Sequence, residues 1–191
     1  NGQTAYPVVP DPSTAELNRL QLTTGVIPKT KVTIGRQRIV MDDARFVGNV
    51  GWRQNEQTFD AVRATNTALG KLVIDAAYVN QVNRVFGEES AQGRFNGDTY
   101  LVNVSHPTPV GKLTGFAYLV DADQAGGVNA SKTYGARFAG DRKVGGGTIN
   151  YALSYATQGD FGSSNLDYSA DYYLVSAGYS QGPVSGGLGY E

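Results

Sequence analysis

Apolar and polar side chains alternate with a period of two along most of the chain, and helical spacing is nearly absent. In Thr99–Ser105, Tyr100, Val102 and Val104 fall on one face and Thr99, Asn103 and Ser105 on the other, with Leu101 an exception. Leu113–Val120 sets Phe116, Tyr118 and Val120 against Gly115, Ala117 and Leu119, and Thr133–Ala139 sets Tyr134, Ala136 and Phe138 against Thr133, Gly135 and Arg137. Ile149, Tyr151, Leu153 and Tyr155 likewise oppose Asn150, Ala152, Ser154 and Ala156, and Tyr173, Val175, Ala177 and Tyr179 oppose Ser176, Gly178 and Ser180. The second face of each segment is mostly small or polar. The pattern predicts about ten antiparallel strands, beginning near Leu17 and ending in Val184–Glu191.

A soluble β-sandwich or jelly roll alternates too, so three further features carry the argument. The segments approach the roughly 9–11 residues that a tilted membrane strand needs, longer than the usual globular strand. Tyr and Phe recur near segment ends, as in an interfacial girdle. Short connections (Val26–Thr30, Ala68–Lys71, Pro107–Lys112, Asp141–Gly146, Gln181–Pro183) alternate with longer ones (Met41–Glu56, Phe86–Phe95, Asp121–Ser131, Gly159–Leu166). That is the rhythm of short periplasmic turns and long external loops, and the expected class is an all-β, antiparallel transmembrane β-barrel.

Composition agrees. The chain has 191 residues, 25 Gly and 12 Tyr against one Trp, one Met and no Cys. A mean hydropathy of −0.30 looks soluble, but a barrel wall meets lipid with only alternate side chains. The longest apolar run, Phe116–Val120, is far below the roughly 20 residues of a spanning helix, which excludes a helical membrane protein. With 16 basic and 17 acidic residues, nothing points to nucleic acid. No signal peptide opens the chain and the last segment stops abruptly, so residues 1–191 read as a single region of a larger barrel, truncated at both ends. Pro7, Pro10 and Pro12 mark residues 1–16 as the end of an external loop.

The stretch from Thr33 to Ala61 is more specific. Its Gly35-Arg36-Gln37 strand, its loop Phe46-Val-Gly-Asn-Val-Gly-Trp-Arg53 and the following Gln54-Asn-Glu-Gln-Thr-Phe-Asp60 closely resemble the alginate-export-type family of Gram-negative outer-membrane porins. Gln81–Gly87 and Thr133–Phe138 are similar to later strands of that family. The resemblance implies a bacterial outer-membrane barrel of more strands than fit here, surrounded by lipid and passing solutes. It does not name the solute.

Seven of the ten Arg lie between Arg36 and Arg94, interspersed with acids. A charge facing lipid at mid-membrane costs about 2–4 kcal/mol, so strand charges belong in the lumen or at the rims. The expected pore-lining set is Arg36, Arg38, Arg53, Asp60, Arg63, Asp75, Arg84 and Arg137. Asp42, Asp43, Glu56, Glu88 and Glu89 fall in loops, which would leave this wall net positive and favour anions. Inter-strand ion pairs that merely hold the wall together are the alternative for each residue.

Two local features stay open. Val32, Ile34, Arg36 and Arg38 share one parity although the first two suit lipid and the arginines do not; a β-bulge near Gly35 would resolve this, as would Val32 and Ile34 facing inward. The loop Met41–Glu56 carries Phe46, Val47, Val50 and Trp52, which suits a loop folded into the barrel or one packed on a neighbouring loop or subunit.

Other chemistry is thin. His106 has Ser105 as its immediate neighbour, hence on the opposite strand face, so an outer-membrane hydrolase would need a serine across strands. Asp121, Asp123 and Gly126 have incomplete calcium-loop spacing, and Gly145–Gly147 precedes a strand and not a helix. The reading carries no catalytic residue, metal or cofactor. Its first function is a porin-like channel for passive diffusion of small hydrophilic solutes, anionic or carbohydrate among them, with a homo-oligomer left open. Its rival is a structural or adhesive barrel with a plugged lumen. The two differ in whether Arg36, Arg38, Arg63 and Arg137 line open water or are saturated by acids.

Overall fold

The computed structural model describes residues 15–124 and 127–191. Ten strands follow one another: β1 (Leu20–Thr24), β2 (Thr30–Gln37), β3 (Thr58–Asn66), β4 (Val73–Asn83), β5 (Arg94–Thr108), β6 (Gly111–Gln124), β7 (Gly127–Val144), β8 (Gly147–Gly159), β9 (Ser169–Gln181) and β10 (Val184–Tyr190). Each pairs antiparallel with its neighbours in sequence, giving one meander in the order β1 to β10. β1 and β10 are its edges.

The register assigns the faces. Tyr78, Tyr100 and Leu119 lie in one cross-strand row, and Phe138, Leu153 and Val175 in another. Together with Leu22, Ile34 and Val62 these rows form an apolar surface, much of it exposed: Leu153 and Tyr173 are about half accessible. Tyr pairs stack across strands on this face, Tyr78 with Tyr100 at 5.4 Å and Tyr155 with Tyr173 at 5.1 Å between centroids. The Tyr78 hydroxyl donates to Asp98 (2.6 Å) and the Tyr155 hydroxyl to Asp171 (2.9 Å), so these two rings have an apolar body and a wet tip.

The opposite face is covered. The segment between β2 and β3, residues 38–57, lies against it and buries Ile39, Met41 and Val47 with Phe59, Val79, Leu101, Phe116 and Tyr118. This explains the Leu101 exception: Leu101 is buried under the segment. It also reverses one reading. Phe116 and Tyr118 look like a membrane-facing row in sequence, but they pair with Asn103 and Leu101 on the covered face.

Two local expectations are corrected. No register shift occurs at Gly35: Ile34, Gly35 and Arg36 face Val62, Ala61 and Asp60 in unbroken order. Gly35 instead takes φ +110°, and a Cβ there would collide with the carbonyl oxygen of Leu20. The shifts fall downstream, between Asp60 and Ala61 against β4 and between Val79 and Gln81 against β5. Finally, Asp121–Ser131 is not a long loop. β6 runs to Gln124 and β7 starts at Gly127, because Asp121 to Ala130 and Val120 to Ser131 continue the ladder. Gly126, part of the calcium-loop spacing, lies outside the described residues.

Candidate functional site on the covered face

The site is built by a loop and a wall. The wall supplies inward polar groups from β3 to β9, and the loop, residues 38–57, supplies their partners. Asp42, Ala44 and Val50 adopt positive φ (50°, 63° and 49°), an uncommon conformation for residues with a Cβ, and most costly for β-branched Val50. Two loop hydrogen bonds close the bend, Met41 N to Val47 O (3.0 Å) and Ala44 N to Met41 O (2.9 Å).

The bend delivers two carboxylates to the wall. Asp42 accepts from Asn103 Nδ2 (2.8 Å) and from Lys112 Nζ (3.4 Å). Asn103 in turn accepts the hydroxyl of Tyr118 at 2.7 Å. Asp43 pairs with Arg137 at 2.7 Å. Between them Phe46 packs on Phe116 and Tyr172, with centroids 5.5 and 5.3 Å apart, while Arg45 stacks over Tyr172 and reaches Glu191 at 2.9 Å.

Glu56 closes the loop on itself. Its buried carboxylate accepts from Arg38 Nε at the loop's start, from Asn49 Nδ2 (2.9 Å) in its middle and from Asn18 Nδ2 (2.9 Å). Burial pushes the Glu56 carboxyl up, but the bonds from Arg38, Asn18 and Asn49 outweigh it and hold the group below its ordinary value.

The eight expected site residues are placed as follows. Arg63 and Asp75 form a two-pronged pair on the covered face, with Nε to Oδ1 at 2.8 Å and Nη2 to Oδ2 at 2.6 Å. Arg137 is on the same face. Arg36 and Asp60 form a similar pair (2.7 and 2.9 Å), but in register they continue the row of Ile34 and Val62 at the loop end of the sheet. Arg36 also donates to Leu17 O at 3.0 Å. Arg38 is bound to Glu56. Arg53 stacks over Trp52 at 4.1 Å, its Nε and Nη1 buried without a hydrogen-bond partner among the described residues. Arg84 is gripped between Phe86 (4.7 Å) and Phe95 (4.4 Å), and burial lowers its pKa. Arg36, Arg38, Arg63 and Arg137 are thus each saturated by an acid.

Lys112, Asn103 and Tyr172 were missed. Lys112 hid in an apparent turn, and only tertiary packing could show that Asp42 and Asp43 reach the wall. His106 is exposed and faces Leu113 across β6, where a hydrolase would need serine. Asp121 accepts from the backbone N (3.0 Å) and hydroxyl (2.5 Å) of Ser163, and no cluster that could hold a metal occurs among the described residues.

The model of the alginate export family matches residues 9–181 of the chain. The chain belongs to this family. Three solved Pseudomonas aeruginosa structures share its fold: OccK8 (OprE), with TM-score 0.66 and 13% identity over 88% of this chain; OccK5 (OpdH), 0.65 and 14% over 90%; and OpdK, solved with vanillate, 0.62 and 14% over 85%. They are outer-membrane porins, and the chain spans 48%, 47% and 44% of their lengths, about half. No curated protein sequence matches the chain. As a member of the alginate export family it is wall of a β-barrel in the bacterial outer membrane.

Proposed function

We propose that this wall, its apolar face to lipid and its covered face to the lumen, belongs to a porin-like channel through which small hydrophilic solutes, anionic and carbohydrate ones among them, diffuse passively. The observation that carries the reading is the loop 38–57, clamped across the lumenal face by Asp42, Asp43 and Phe46. A segment held there narrows a pore without sealing it. Among the described residues β1 and β10 each pair on one side only, which supports a wall continued by further strands, since an open edge leaves backbone groups unsatisfied in lipid. The expected lumenal set keeps Arg63, Asp75 and Arg137 in this reading, with Lys112 and Asn103 added. Arg36, Arg38, Asp60 and Arg84 belong to the loop-side rim.

One observation favours the plugged, structural alternative: the four arginines named above are saturated by acids. Pairing cancels charge, however, and does not fill volume. Conductance of the intact protein in planar bilayers tests the two readings. Stable open channels support the first, and a folded protein that never conducts supports the second.

A further inference from the structure

We propose that the lumenal face carries a binding pocket for a small uncharged aromatic ring bearing hydroxyl groups. The inference deepens the channel reading and rests on it only for how the ligand arrives.

The pocket has a volume of about 250 Å³ and lies between the loop and β3–β8. Three cross-strand rows build it. Phe59, Val82 and Phe95 form an apolar row across β3, β4 and β5. Thr99, Val120 and Ser131 form the next, across β5, β6 and β7. Leu101, Tyr118, Thr133 and Gln158 complete it, and Phe46 with Gln57 closes it from the loop.

Its chemistry is one-sided. Phe46, Phe59, Phe95 and Tyr118 line it with four aromatic rings, the kind of surface on which another ring packs. The hydroxyls of Thr99 and Ser131 have no hydrogen-bond partner among the described residues, whereas Thr133 is engaged by Gln158 Nε2 at 2.8 Å. Among the described residues, no Asp, Glu, Lys or Arg lines the cavity. A carboxylate would therefore be desolvated without a cation to meet it. A sugar, with a hydroxyl on almost every ring carbon, would leave most of them unpaired against the phenylalanines. A benzene ring with one or two hydroxyls satisfies both sides, its face on the rings and its hydroxyls toward Thr99 and Ser131.

The test is titration calorimetry on the intact protein in detergent, with resorcinol as probe and with glucose, benzoate and empty micelles as controls. Calorimetry reads binding whether or not the protein conducts, so failure of the channel reading and failure of this one are separate results. Saturable, one-site binding of resorcinol is expected, with none by glucose or benzoate. Val120→Trp fills the cavity from the wall and should abolish binding. Ser131→Ala, a smaller change that leaves the packing intact, should weaken it by about tenfold, as for one lost hydrogen bond. Resorcinol binding undiminished in both variants, glucose or benzoate binding as well as resorcinol, or no binding beyond that of empty micelles would each overturn the proposal.

Discussion

Arg137 on the barrel wall and Asp43 on the loop meet at 2.7 Å, an ion pair between positions 94 residues apart (137 − 43) that ties the loop to β7. Asp43→Asn should loosen this tie while leaving the strands intact. Trypsin cleavage after Arg45 and Arg53, followed by mass spectrometry, should accelerate several-fold in the variant. Unchanged cleavage would mean that Phe46 and Asp42 hold the loop alone.

Glu56 makes the loop sensitive to acid. Its folded pKa is lowered, so its contribution is fully present above the unfolded value of about 4.3 and is lost as pH falls through the lower folded value. Trp52, the chain's one Trp, reports on this loop. Its fluorescence should change below about pH 4. In Glu56→Gln the neutral-pH spectrum should already be altered and the acid transition absent.

The two faces can be told apart at adjacent positions of β9. Val175 lies opposite Leu153 on the apolar face and Ser176 opposite Ala152 on the covered one, which the proposed orientation turns to lipid and lumen. Val175→Arg should lower stability in urea titrations by about 2–4 kcal/mol, while Ser176→Arg should change it by less than about 1 kcal/mol. Equal losses would refute the face assignment.

Gly35 is required by its backbone. Gly35→Ala adds a Cβ that collides with the Leu20 carbonyl at φ +110° and should cost about 1–3 kcal/mol. Gly115→Ala, where a Cβ meets open space, should stay within about 0.5 kcal/mol. Heat-modifiability on gels and urea titration would read both.

On the proposed orientation, charge selectivity should be weak in the wild type because Arg63 and Arg137, the strand-borne arginines of the covered face, each have an acid. Asp75→Asn leaves Arg63 unpaired and should shift the reversal potential toward anions at 0.1 M salt. At 1 M the shift should largely vanish, as the Debye length falls from about 10 Å to about 3 Å. A strongly anion-selective wild type would contradict the pairing seen here.

The fold was legible because a strand's period and its turns are local. Tyr100, Val102 and Val104 announce their face, and Asn-, Gly- and Pro-rich connections punctuate the hairpins. The site was legible only in part. Arg63 and Asp75 stood out as strand-borne charges, yet nothing local told Asp42 and Asp43 to turn inward, so their pairing with Lys112 and Arg137 could not be read from the strands. Phe116 and Tyr118 misled for the same reason. Alternation shows that two faces differ, and a buried loop makes the lumenal one apolar too. At Gly35 the sequence posed the right question, but a left-handed glycine, which no spacing reveals, took the place of a bulge.

The strictly sequential meander has a consequence for assembly. Nearly every strand contact joins neighbours in the chain, so hairpins can be laid down one after another with little loop entropy to overcome at each step. The loop 38–57 is the exception: Asp42 waits for Lys112, 70 residues later, and Asp43 for Arg137 on β7. Its full seat needs β6 for Lys112, β7 for Arg137 and β9 for Tyr172. Docking of the loop is therefore a long-range closure in a sheet otherwise built from neighbours.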